Sequence, residues 1–346
     1  MKTTTTTKVS FSLLTVLKVS FTIVGTLIGA GFASGKEITT FFGCYGNMGY
    51  IFIVLFCIVF AFGIIYFSSL KKESIPKPLQ KAINIAICIS EIISITAMMA
   101  GLSSILSMLF INNIPFYLSL ILIFLIIICG VKGLTTTNLI LIPILFISIV
   151  IFGVIGATSV SSFKLTTTSS SGIFKLMSFP LYIGLNLFSI FPIALEFGRV
   201  QTRKERLFSA ILSSAIILVL MFCFCTTILN VDSQSALSEL PLVIYILTKA
   251  PNLTLIVVST LAIAIITTII SDGFVVRGML LCKGETFANI VFAIIFVCAY
   301  FLSNFGFAQI VETFYPINGL LGLLLLIAIV YINSKNNKHK KIPVKI

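Results

Sequence analysis

Four glycines, Gly25, Gly29, Gly31 and Gly35, fall within eleven residues, and the charged pair Lys36 and Glu37 follows directly. Glycine lets the backbone bend and lets other groups approach its N–H and C=O, so such a run suits a helix that unwinds to face a ligand. The spacings Gly25-xxx-Gly29 and Gly31-xxx-Gly35 also suit close helix packing in lipid, but packing requires no charged pair, and we read the segment as a broken helix. A second stretch holds Pro180, Gly184, Asn186, Ser189 and Pro192. Two prolines flanking a Gly and an Asn free several backbone groups. This predicts a second break between about Tyr182 and Ser189, with Gly184 and Asn186 on a ligand cavity.

Glu91 stands inside a third apolar stretch, flanked by Ser94 and Thr96. A carboxyl there costs at least a few kcal/mol, so it is expected to face the protein interior and to recognise a substrate amine or relay a proton. The alternative is a buried Glu bonded to a neighbouring hydroxyl or Lys. Lys36, Glu37 and Glu312 stand where an outer gate would form, with a structural salt bridge as the equal alternative. Other chemistry has little to build on. The single histidine, His339, lies in a Lys-rich tail, the eight cysteines form no CxxC pair, and no GxxxxGK[ST] nucleotide loop occurs. The chain is not expected to be an enzyme or to hold an organic cofactor.

These residues are set in 346 residues that are 58% apolar and only 10% charged, with a net charge of +13. A soluble domain carries about a quarter charged residues, so lipid is the solvent for most side chains here. The basic residues sit in short clusters between apolar runs rather than on one face, which argues against nucleic acid and for the loops of a polytopic membrane protein. At about 20 residues per span, ten helices are expected, near 15–44, 48–70, 82–110, 116–132, 137–158, 173–198, 207–230, 252–271, 286–303 and 307–332. With the N-terminus inside, the inner segments hold nineteen Lys and Arg and the outer ones three, Lys164, Lys175 and Lys249. That asymmetry places both termini in the cytoplasm and the chain in the cytoplasmic membrane.

The two expected breaks open the two halves of the chain: residues 1–158, a first five-helix repeat with its N-terminal tail, and 173–332, a second. A Ser/Thr-rich outer linker, 159–172, separates them, and 333–346 forms a basic inner tail. Five is odd, so the second half lies inverted, the 5+5 inverted repeat of secondary transporters with broken helices 1 and 6.

The stretch Gly25-Thr-Leu-Ile-Gly-Ala-Gly-Phe32 is similar to the glycine-rich first helix of the LeuT-fold transporters. Ile28-Gly-Ala-Gly-Phe32 resembles the I-G-S-G-I-F element of the amino acid-polyamine-organocation superfamily. The longer string GTLIGAGFASGKE, with the length and span count, resembles the YkvI-like membrane proteins within it. The likeness covers the whole chain in topology, but in sequence only span 1 carries it specifically.

The resemblance implies a substrate carboxylate held at Gly29, Ala30, Gly31 and Phe32. It also implies a sodium site made by the carbonyls of Gly25, Ile28 and Ala264 and the hydroxyls of Thr267 and Thr268, since Ala264-Ile-Ile-Thr-Thr268 resembles the element that completes that site in many such carriers. The alternative for the threonine pair is a bond back to its own helix. The expected function is import of a small amino acid or similar solute coupled to Na+. Two alternatives stay open: proton coupling through Glu91, and a germinant-receptor-like subunit that binds without transporting. The expected partners are a small-molecule substrate and the lipid bilayer.

Overall fold

The computed structural model describes residues 11–70, 76–110, 112–158, 172–228, 240, 243–244 and 251–340. Its regular structure is helical: α1 (Leu13–Leu27), α2 (Ala30–Ala33), α3 (Lys36–Phe41), α4 (Gly49–Ser69), α5 (Lys77–Leu109), α6 (Ile114–Ile128), α7 (Gly130–Thr158), α8 (Gly172–Phe197), α9 (Arg203–Ile228), α10 (Thr254–Leu280), α11 (Glu285–Leu302) and α12 (Phe307–Lys340). Eight of these segments are long and apolar enough to cross a membrane, while α1 and α6, at 15 residues each, fall short of that length. Apolar side chains such as Phe62, Leu125, Ile294 and Leu324 stand more than half exposed on the outer faces, where only lipid could cover them. The chain is a polytopic all-α membrane protein. The linker expected at 159–172 lies outside the described residues except for Gly172.

Local chemistry explains where the helices start and stop. Thr202 and Glu205 form a capping box at the head of α9: Glu205 Oε2 accepts from the Thr202 N–H at 2.7 Å, and Thr202 Oγ1 accepts from the Glu205 N–H at 3.3 Å. The other carboxylate oxygen of Glu205 accepts from the Ser12 N–H at 2.7 Å, so one side chain ties the start of α9 to the start of α1. Between α6 and α7, Gly130 turns the chain at φ +63°, a region open to glycine. The inner and outer helices differ in burial. In the most apolar windows of α5, α8 and α10, 61%, 61% and 56% of the residues are buried, against 28% in α11. The first three therefore line the interior.

Three expectations need correction. The expected second break is absent, because α8 runs unbroken from Gly172 to Phe197 through both Pro180 and Pro192. Its Gly184 is used for packing instead. A Cβ there would collide with the carbonyl of Gly319 on α12, and one at Gly322 would collide with the carbonyl of Gly184. Small residues thus bring the two backbones into contact. Asn186 and Ser189 also hold the helix rather than open it, donating to the carbonyls of Tyr182 at 2.9 Å and Leu185 at 3.1 Å. Second, α10 extends to Leu280, nine residues beyond the expected end of its span, which brings Asp272 and Arg277 inside a helix. Third, α12 continues into the expected tail as far as Lys340.

Gly184→Val should separate α8 from α12 and lower stability by about 3 kcal/mol, the upper range for overpacking. Pro180→Ala, which restores a helical donor, should leave stability level or higher. Thermal unfolding of the purified protein in detergent measures both.

Candidate solute and cation site

The first glycine run does break the helix. Ile28 leaves helical geometry at φ −86°, ψ 80°, and the Gly29 N–H turns to the Leu27 carbonyl at 3.1 Å. The Gly25 carbonyl therefore loses its usual i+4 donor. The short α2 follows, and Gly35, at φ +82°, folds α3 back over it.

Thr268 of α10 approaches the freed carbonyls. Its Oγ1 lies 3.1 Å from Gly25 O, 3.0 Å from Ile28 O and 3.0 Å from Ala264 O. One hydroxyl proton faces three acceptors, and since Ala264 O also accepts from Thr267, one of the Gly25 and Ile28 carbonyls is left without a donor. Thr267 Oγ1 reaches the same Ala264 carbonyl at 2.9 Å. Of the five residues that the sodium-site resemblance implies, Gly25, Ile28, Ala264 and Thr268 meet at the break, while the Thr267 hydroxyl bonds back to its own helix. A hard cation that holds oxygens at about 2.4 Å and at right angles sets neighbours about 3.4 Å apart. The three contacts of Thr268 Oγ1, at 3.0–3.1 Å, are a few tenths of an ångström shorter than that spacing. Asn138 of α7, buried with neither amide atom bonded, lies against Gly25. Nothing in the sequence singles out this polar residue in an apolar helix except its polarity.

Next to the cluster is a cavity of about 30 Å³, room for a water or two. Gly29, Thr26 and Thr268 line one side, Ser90, Ser94 and Met98 of α5 another, and Asn186 and Ser189 of α8 a third. Glu37, Tyr315 and Asn318 close it, and none of its lining residues is basic. Asn186 and Gly29 thus stand where a ligand-facing role requires, whereas Gly184 stays in its helix contact. Gly31 and Phe32 do not line the cavity, and the side chain of Ala30 lies outside what is described. Phe32 packs its ring against Phe224, centroids 5.1 Å apart. The Phe32 N–H is engaged by the carboxylate of Glu37, which also lies where a Cβ on Gly31 would fall. The seat expected for a substrate carboxylate is held by the protein's own side chain.

The three gate residues divide. Lys36 Nζ pairs with Glu312 Oε1 at 2.7 Å, joining α3 to α12, with the Lys36 side chain 5% exposed and that of Glu312 56%. Glu37 turns the other way, into the cavity.

Glu91 does not line the cavity either. It faces Asp272 of α10, with the two carboxyls in hydrogen-bonding reach, and Ser94 links Asp272 to Tyr315. Glu91 Oε1 and Asp272 Oδ2 are buried without a donor. Sequence reading missed Asp272 because the span was expected to end one residue earlier. Its position one turn past Thr268, at i+4 on the same helix face, is the signal that could have found it. Cys88, next to Glu91, lines an open surface groove with Lys77, Gln80, Lys81 and Asn84.

No family model matches the chain. Among curated proteins it is similar to the uncharacterized protein YyaD of Bacillus subtilis (strain 168), at 28% identity over 325 residues, 89% of this chain and 94% of that protein. The likeness runs nearly end to end, and that protein's description assigns no activity.

Thr268→Val keeps the shape and leaves the Gly25 and Ile28 carbonyls with no side-chain donor. It should lower stability by about 1–3 kcal/mol, the range for an orphaned buried acceptor. Thr267→Val removes a bond within its own helix and should cost clearly less. Thermal unfolding of the two variants side by side reads the difference.

Proposed function

We propose that the protein is a secondary active transporter that moves a small organic solute by alternating access and couples it to Na+. The observation that carries this reading is the meeting of the Gly25, Ile28 and Ala264 carbonyls around one Thr268 hydroxyl at a helix break, beside a closed polar cavity. Oxygen ligands with no carboxylate suit a monovalent cation, and a cation there would supply the partner that one of the Gly25 and Ile28 carbonyls lacks. Because α1 and α10 both contribute ligands, occupancy would bias how those helices sit, which is the coupling that transport needs. In this reading ten helices span the membrane as two inverted halves of the LeuT type, with both termini in the cytoplasm. The broken first helix supports it, and the continuous α8 means that the second half contributes side chains, Asn186 and Ser189, rather than freed backbone. The resemblance implies an amino acid as solute; the cavity itself offers a partner, Glu37, for an ammonium group alone.

A second reading, proton coupling, is favoured by the Glu91 and Asp272 pair. Two carboxyls this close in a low-dielectric interior do not both stay ionised without a cation between them. Asp272 bonds to Ser94, which lines the central cavity, and Glu91 lies near Cys88, which lines the open Lys77 to Cys88 groove.

Exchanging choline for Na+ should raise the unfolding temperature of the purified protein, and the double variant Thr267→Ala with Thr268→Ala should lose that rise. Equal stability in the two salts would end the sodium reading. In proteoliposomes, Glu91→Gln should reduce uptake or change its dependence on pH; uptake unchanged at every pH would leave Glu91 a structural role only. A protein that binds solute but takes up none under a Na+ or proton gradient would be a receptor-like subunit instead.

A further inference from the structure

The contents of the central cavity say more about the solute than the transport reading requires. Glu37 is 4% exposed, and none of the ion pairs of the described residues includes it. Its neighbour in sequence, Lys36, is directed to Glu312 at 2.7 Å. No Lys, Arg or His lines the cavity. A ligand carboxylate entering here would meet the Glu37 carboxyl, find no cation, and find the Phe32 N–H already engaged by that side chain. Two carboxyls brought together in a dry site do not both stay ionised, so such a ligand could bind only by taking up a proton.

An ammonium group meets the opposite situation. Glu37 offers it a counter-charge, and a buried carboxylate left without a cation gains most from one. Asn186 uses its Nδ2 on the Tyr182 carbonyl at 2.9 Å, so Oδ1 is the acceptor this cavity-lining residue can offer. Asn318 and the Ser90 and Ser94 hydroxyls add further acceptors. The position of Glu37 is built into the backbone. The left-handed turn at Gly35 brings α3 back over α2, and Gly31, having no side chain, leaves room for the carboxylate.

We infer that the solute is a small amine without a carboxylate group, and that Glu37 supplies from the protein the negative charge an amino acid would bring with it. That this amine is carried across the membrane rests on the transporter reading; that it binds does not. At about 30 Å³ the cavity is closed around its polar groups, so binding accompanies its opening.

The test uses the full-length protein in detergent with Na+ present and three matched pairs of probes: ethylamine with alanine, isobutylamine with valine, and cadaverine with lysine. Thermal unfolding is followed against probe concentration. In at least one pair, the amine should stabilise at a concentration about 30-fold or more below its parent acid, the factor expected for gaining rather than opposing a buried charge. Glu37→Gln, which can still accept from the Phe32 N–H, should erase that preference. Parent acids that bind as tightly as their amines in every pair would overturn the inference, as would stabilisation by none of the six probes or an amine preference that survives Glu37→Gln. If the variant does not fold, the wild-type pairs decide alone. Failure of the transport reading looks different: binding of the preferred amine persists, but labelled amine does not enter proteoliposomes under a Na+ or proton gradient.

Discussion

A backbone carbonyl in the membrane interior must find a donor or a cation, and the carbonyls freed where α1 ends set the terms for the centre of this molecule. With the Gly29 N–H turned to Leu27, the Gly25 and Ile28 carbonyls look to α10, and Thr268 is the group that answers. This requirement fixes the height of α10 against α1. It also fixes what stands one turn further along α10, namely Asp272, and so brings that carboxyl to Glu91 on α5. The polar centre therefore grows outward from one interruption in one helix.

Glycine serves two opposite purposes around that centre. In the first segment, Gly29 and Gly35 let the chain leave the helix and fold back, with Gly35 held at a positive φ that side chains avoid. In α8 and α12, Gly184, Gly319 and Gly322 let two intact helices touch backbone to backbone. The two segments therefore contribute differently. The first frees main-chain groups beside the cavity, and α8 presents the side chains of Asn186 and Ser189 from an unbroken helix.

Charge is divided in the same economical way. Lys36 and Glu312 neutralise each other between α3 and α12, where Glu312 is half exposed. Glu37, the next residue, stays inside, and Glu91 and Asp272 face each other behind the cavity wall. Adjacent residues on one short helix thus end in opposite roles, because successive side chains of a helix point about 100° apart. The closed cavity has acceptors and a carboxylate but no basic group, which gives it a definite electrostatic preference before any ligand arrives.

Composition and the lengths of the apolar runs were enough to establish a polytopic helical membrane protein, since lipid admits few other solutions for such a chain. The break in the first span was also legible, because four glycines and a charged pair in so long a run have few other uses. The meaning of Gly184 was not legible. A glycine between two prolines reads alike whether it unwinds a helix or packs against one, and only the approach of Gly319 and Gly322, more than 130 residues away, decides for packing. The role of Glu37 was hidden for a related reason. Sequence places it beside Lys36 as a gate residue, but the turn at Gly35 and the pull of Glu312 on Lys36 send the two side chains apart. The partnership of Glu91 with Asp272 likewise depends on how α5 lies against α10, a contact between distant segments to which no local pattern of residues corresponds.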